Sequence, residues 1–184
     1  MKNIIVAALF LLLSTNALAC YDGSLSNRAN FDNCLTGAEQ GIGVAQSNLG
    51  AMYYFGKGVA QDYKEAVRWH TKAAEQGVAE AQYSLGYSYD NGEGAAQDYK
   101  EAVRWYTKAA EQGNVDAQFY LGTMYHFGKG VAQDYKSALL WYNIAAANGN
   151  SDAAITRDLV AKRMTPSQIE KAQDMAREWM AEHQ

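Results

Sequence analysis

The chain has 184 residues, 48% of them hydrophobic, 12% aromatic and 20% charged, with 16 Gly, one Pro and two Cys, a composition that excludes disorder and collagen-like structure. Its 16 basic and 20 acidic side chains give a net charge of -4, without the concentrated positive surface that neutralising phosphates requires, so nucleic acid is not an expected partner.

The first element is an address. Residues 1-19 carry Lys2, an unbroken apolar run from Ile4 to Leu13, and Ala17-Leu18-Ala19 at the cleavage positions, the three parts of a secretory signal. That run falls short of the roughly 20 residues a spanning helix needs, and no second apolar stretch of spanning length follows, so no transmembrane segment is expected. The mature chain is predicted to begin at Cys20. Two readings of Cys20 stay open. Paired with Cys34 in an oxidising compartment, it closes a loop of about 15 residues and contributes about 3 kcal/mol in the chain-entropy model. Alternatively Cys20 carries a lipid anchor, as in bacterial lipoproteins, and Cys34 is left a lone thiol; Ala17 to Cys20 matches such a box only in part. The short signal, the style of repeat described below and the lack of any Asn-x-Ser/Thr site place the expected address in a bacterial periplasm.

From Ala45 onward the chain repeats with a period of 36: residues 45-80 share 24 identities with 81-116, and that block shares 20 with 117-152. Repeats of this length mean a stacked array. Residues 20-41 read as an N-terminal half repeat and 153-184 as C-terminal capping helices. Within one unit Ala45, Leu49 and Tyr53, then Ala66, Trp69 and Ala73, recur at helical spacing, so each unit is predicted to be a helix pair. Gly56-Lys57-Gly58, Gly92-Glu93-Gly94 and Gly128-Lys129-Gly130 form the turn between the helices. The second helix is expected to start at Asp62, Asp98 and Asp134, with Glu65 and Glu101 completing a capping box in the first two units and Ser137 leaving it incomplete in the third. Gly77, Gly113 and Gly149 are expected as left-handed caps at its end.

Gly50, Gly86 and Gly122 lie inside the first helix, where each costs about 1 kcal/mol relative to Ala, so a close helix approach is expected to compensate. Trp69, Trp105 and Trp141, with Tyr63, Tyr99 and Tyr135, read as core anchors that every unit needs. In the terminal segment the Leu-Gly pair gives way to Arg157 and Asp158, as expected where no neighbour covers that face. Thr165-Pro166-Ser167-Gln168 then starts a last helix, expected to pack on the third repeat through Ile169, Ala172, Ala176 and Trp179.

The succession Ala-x-x-x-Leu-Gly-x-x-Tyr, Gly-x-Gly, Asp-Tyr-x-x-Ala-x-x-Trp and Ala-Ala-Glu-Gln-Gly, as in Ala45 to Gly77, resembles the Sel-1-like repeat, a relative of the tetratricopeptide repeat. Met164-Thr165-Pro166 and Trp179 resemble the terminal cap of secreted bacterial members. The resemblance implies an all-α fold, a short right-handed α-solenoid of antiparallel helix pairs, whose concave face binds other proteins or peptides. Fold alone does not name the partner.

No catalytic set accompanies the repeats. His70, His126 and His183 are scattered, and neither His-Glu-x-x-His nor Cys-x-x-Cys occurs, so no metal or other cofactor is expected. Lys57 is followed by Gly58 rather than Ser or Thr, so the Gly-x-Gly turn is not a phosphate loop. Some secreted, cysteine-rich relatives are described as penicillin-binding or weakly β-lactamase-like, which keeps a hydrolase as an alternative. Here no Ser-x-x-Lys occurs and no repeat holds a cysteine pair, so an enzyme is not the expected reading.

Positions that differ between repeats are free for recognition. On the first helices these are Val44, Ser47, Ala51, Tyr54 and Phe55, then Glu80, Tyr83, Tyr87, Asp90 and Asn91. In the third unit they are Asp116, Phe119, Thr123, His126 and Phe127. By resemblance to tetratricopeptide arrays they are groove positions, aromatic with an acidic edge, suited to a basic or neutral peptide. The expected function is an exported adaptor that binds a protein or peptide. A periplasmic immunity-type protein that neutralises a toxin is the other alternative, on the same resemblance.

Overall fold

The computed structural model describes residues 20-183, so the signal-like segment lies outside the described residues. Within them are nine helices and no strand: α1 (Asn27–Glu39), α2 (Gly43–Phe55), α3 (Tyr63–Glu75), α4 (Ala79–Asn91), α5 (Tyr99–Glu111), α6 (Val115–Phe127), α7 (Tyr135–Ala147), α8 (Ser151–Ala161) and α9 (Pro166–Glu182). They fall into two compact units, the first running to Ala81 and including Glu93–Ala95, the second comprising Gln82–Gly92 and everything from Ala96 on.

In the first unit, α1 packs on α2 and α2 on α3. Cys20 and Cys34 form a disulfide with Cα atoms 4.7 Å apart, both buried with Phe31, Leu49, Met52 and Trp69 in one core. The segment before α1 is held a second time by buried Asn30, whose Nδ2 donates to the Asp22 carbonyl at 2.9 Å while its Oδ1 accepts from the Asp22 N–H at 2.8 Å. The Asp62 carboxylate caps α3 by accepting from the N–H groups of Lys64 and Glu65. The expected capping box is not completed. The Asp62 N–H donates to the Tyr53 carbonyl at 3.0 Å, and the Glu65 carboxylate turns to Arg68 at 2.6 Å. A backbone acceptor across the Gly-x-Gly turn has taken the donor the box would have used. In the second unit Asp98 and Tyr89, with Glu101 and Arg104, do the same.

The turn glycines act between units of the repeat. A Cβ on Gly58, Gly94 or Gly130 would collide with the backbone carbonyl of Asn27, Tyr63 or Tyr99, the first residue of the second helix before it. These three partners are themselves 36 residues apart, so α1 stands in the second-helix place of the half repeat. Gly77, Gly113 and Gly149 have φ of 88°, 85° and 98°, as expected of left-handed caps.

The second unit pairs α6 with α5, α7 with α6 and α8 with α7, and lays α9 on α7. The glycine inside each first helix marks a close approach. A Cβ on Gly86 would lie 2.7 Å from the Tyr106 ring and one on Gly122 2.9 Å from Tyr142; in the first unit His70 fills the same place against Gly50. The Trp anchors are buried as expected, whereas Tyr63, Tyr99 and Tyr135 are only half-buried at the starts of their helices, and the outer covers of the Trp rings differ. Arg104 and Lys108 lie 4.3 and 4.6 Å from the Trp105 ring, as Arg68 and Lys72 do at Trp69. At Trp141 the corresponding residues are Leu140 and Ile144, and Trp179 of α9 meets the ring edge-on at 5.5 Å. Thr165 and Gln168 form the reciprocal capping box that starts α9. Arg157 and Asp158 pair on α8 at 2.9 Å, yet Ile155 and Leu159 beside them are 63% and 55% exposed, so the end unit's uncovered face is less polar than its sequence position suggests.

Candidate peptide-binding face

The variable first-helix positions divide between the two units. In the first, Ser47 is buried and Phe55 is 63% exposed. The Tyr54 hydroxyl donates to the Glu93 carboxylate at 2.6 Å, and its ring meets Phe55 and Tyr63 edge-on at 4.8 and 5.1 Å. The Lys57 ammonium lies 5.4 Å from the Phe55 ring. Val44 and Glu80 are exposed and Ala51 is half-buried.

In the second unit the candidates gather around a residue that the comparison of repeats did not single out. Tyr120 stacks on buried Tyr106 with centroids 5.5 Å apart, and lies 5.9 Å from Tyr83, 6.0 Å from Tyr87 and 5.5 Å from Phe119. Tyr83, Tyr87 and Tyr120 are half-buried, so their rings form a partly open aromatic surface. Burial pushes the Tyr83 hydroxyl's pKa up, with Tyr120 and the Asp116 carboxylate adding to the effect, and burial does the same at Tyr106 and Tyr120. All three are neutral at physiological pH, and the Tyr106 hydroxyl is buried without a hydrogen-bond partner. The signal for Tyr120 was present, because Asn48 and Ser84 stand at its place in the other repeats.

Asp116 and Asn91 are exposed. Asp90 is not an open acid: its carboxylate pairs with Lys129 at 3.7 Å and its side chain is only 11% exposed. Thr123 is spent within the fold, donating to the Phe119 carbonyl at 3.1 Å and accepting from the Tyr142 hydroxyl at 3.1 Å. His126 stacks on Phe127, which is 62% exposed, at 4.3 Å. Burial, then the Arg163 charge, lowers the His126 pKa. Tyr83, Tyr87 and Phe119 thus come together with Tyr120, while His126 and Phe127 lie beyond Tyr142, whose ring meets both Phe119 at 5.7 Å and His126 at 6.3 Å.

The repeats also share buried amides that sequence reasoning missed. Gln46 Nε2 donates to the Ala38 carbonyl and Gln118 Nε2 to that of Ala110, at 3.1 and 3.2 Å. Gln76, Gln112 and Asn148 each donate back to Gln46, Gln82 and Gln118, at 2.7, 2.6 and 3.0 Å. Among the described residues no group of His, Cys, Asp and Glu is placed to hold a metal, and no helix is long and apolar enough to cross a membrane.

Comparison with solved structures matches a protective antigen of uropathogenic Escherichia coli strains that displays an SLR fold, with 36% identity and a TM-score of 0.79 over 84% of this chain and 33% of that one. A Sel1 repeat protein from Oxalobacter formigenes matches with 34% identity and a TM-score of 0.71 over 83% and 63%. This chain therefore spans about a third and under two thirds of their lengths. Cysteine rich protein B of Helicobacter pylori shares the fold at 22% identity and a TM-score of 0.56, over 72% of this chain and 98% of that one. No curated protein matches the chain. The all-helical architecture is that of the SLR solenoids. The Sel1 repeat profile matches end to end at residues 43–78, 79–114 and 115–150, each window opening two residues before the blocks found by self-comparison, and with that coverage the chain belongs to the Sel1 repeat family.

Proposed function

We propose that this chain is an exported interaction module that binds a protein or peptide on its first-helix face. The observation that carries the reading is the partly open surface of Tyr83, Tyr87 and Tyr120, with each pair of ring centroids within 6.4 Å and the exposed Asp116 on the same helix as Tyr120. Tyrosines give large contact area with a hydrogen-bonding tip, which is the chemistry of binding patches. The acidic neighbour favours a peptide with Lys or Arg beside an apolar residue. Export is supported by the signal-like first 19 residues and by the Cys20–Cys34 bond, which suits an oxidising compartment. The Cys20–Cys34 bond favours the disulfide reading of Cys20 over the lipidated one. Neither the toxin neutraliser nor the weak hydrolase gains a specific contact, and neither is proposed.

The test is to pan a random peptide library against the oxidised chain from Cys20 on. Enriched peptides should be basic and apolar, and should lose affinity about tenfold with Tyr87→Ala and severalfold with Asp116→Asn at unchanged helicity. No enrichment over a blank surface, or binding indifferent to both variants, would overturn the reading.

A further inference from the structure

A separate cavity of about 500 Å³ lies in the second unit, where the ends of α5, α7 and α9 meet the start of α6. Its size is that of a small-molecule site. The chemistry of its lining is one-sided. Both N–H bonds of the Gln112 amide are spent, on Gln82 Oε1 at 2.6 Å and the Lys108 carbonyl at 3.4 Å. The Asn148 amide donates to Gln118 Oε1, and the Gln118 amide to the Ala110 carbonyl. The oxygens of Gln112, Asn148 and the Glu111 carboxylate accept no hydrogen bond among the described residues, so the polar groups left over are mainly acceptors.

Three helices end there with the negative poles of their dipoles, against the positive pole of the one helix, α6, that starts there, and no Lys or Arg lines the cavity. The opposite wall is apolar. Trp179 and Met180 pack on the core around Trp141, and the Trp179 ring is fixed edge-on to Trp141 and stacked by His183 at 4.1 Å. His183 is itself held in place, its Nδ1–H donating to the Trp179 carbonyl at 2.8 Å. The same acidic amide edge recurs at Glu75-Gln76-Gly77, but the apolar wall comes only from α9. The site therefore arises where the terminal helix is laid beside a repeat edge.

We infer that this cavity binds an organic cation, an ammonium or guanidinium head on an apolar stem. The head would meet Glu111 and the acceptor oxygens, and the stem would lie along Trp179 and Met180. The ligand is either a free diamine-type amine or a Lys or Arg side chain on another protein, and the test separates them.

The experiment is an NMR titration of the ¹⁵N-labelled oxidised chain with agmatine, with N-acetyl-arginine amide and with its neutral counterpart N-acetyl-citrulline amide. Saturable shifts are expected at the Trp179 indole N–H and the Asn148 side-chain amide, with the citrulline compound at least about tenfold weaker. Glu111→Gln, an exposed position, should weaken the cations about fivefold or more without altering the melting temperature. Tyr87→Ala should leave this binding unchanged, which keeps it distinct from the first-helix face. Tighter binding of agmatine assigns a free amine; tighter binding of the arginine compound assigns a side chain. The inference is overturned if no saturable shift reaches those two signals by about 20 mM, if citrulline binds as well as arginine, or if Glu111→Gln changes nothing.

Discussion

His70 makes the first repeat sensitive to acid. It occupies the place that Tyr106 and Tyr142 fill in the next two repeats, pressed against Gly50, and only 2% of it is exposed. Neither ring nitrogen has a hydrogen-bond partner, so burial favours the neutral ring and, against an opposing effect of the Ser47 backbone, lowers its pKa from 6.5 to about 4. The unfolded chain takes up the proton near pH 6.5, whereas the folded chain resists until about pH 4. Stability from this residue is therefore full above pH 6.5, falls as the pH drops through that value, and is lost by about pH 4. The linkage relation gives a loss of about 2 kcal/mol by pH 5 and about 3 kcal/mol at pH 4. Urea unfolding of the oxidised chain followed by circular dichroism, at intervals from pH 7.5 to 4.5, should show that loss. His70→Tyr, which restores the residue of the other repeats, should remove about 2 kcal/mol of the pH dependence while the carboxylate contributions cancel in the comparison. Parallel pH profiles for the two proteins, or an NMR titration that places the His70 pKa above 6, would refute the argument.

Gly130→Ala should cost more than about 2 kcal/mol in urea unfolding, because it adds a Cβ both to a residue with φ of 70° and into the Tyr99 carbonyl. Gly113→Ala has a φ of 85° but open space around its Cβ, so it should cost only about 1 kcal/mol. Reducing the Cys20–Cys34 bond, with its sequence separation of 14, should lower unfolding free energy by about 3 kcal/mol, read as the shift in urea midpoint with and without reductant. Trp179→Ala removes the edge contact on Trp141 and should cost about 2 to 3 kcal/mol by the same assay, since the ring is only partly buried.

Much of the fold was legible because the repeat prints each interaction three times. The glycines of the first helix, the Asp caps and the Trp anchors all recur at 36 residues, and each has a local cause that sequence alone supplies: a forbidden Cβ, an unsatisfied N–H or a core that must be filled. The capping box failed as an expectation for a tertiary reason, since nothing near Asp62 in sequence announces that the Tyr53 carbonyl will claim its N–H. In the sequence His70 is one of three scattered histidines. Its place in register with Tyr106 and Tyr142 was visible, but its burial depends on helix packing against Gly50. The cavity at Glu111 could not be read at all, because the angle at which α9 crosses α7 decides whether Trp179 faces a repeat edge or solvent.

The candidate face shows why variable positions were only half informative. The penultimate residue of each first helix differs among repeats as Tyr54, Asp90 and His126, and so does the middle of the Gly-x-Gly turn, Lys57, Glu93 and Lys129. The structure joins one series to the next: Tyr54 donates to Glu93, and Asp90 pairs with Lys129. A donor meets an acid in one junction and an acid meets a base in the other, so these positions vary to match their neighbour as well as to be free for a ligand. Asp90→Lys alone sets two ammonium groups against each other and should cost about 1 kcal/mol, since the pair is partly exposed. Lys129→Asp alone should cost about the same. The double exchange restores the pair with its sense reversed and should recover most of the loss in a double-mutant cycle of urea midpoints. Additive losses would mean that the contact carries no coupling, and would return Asp90 to the set of residues available to a bound peptide.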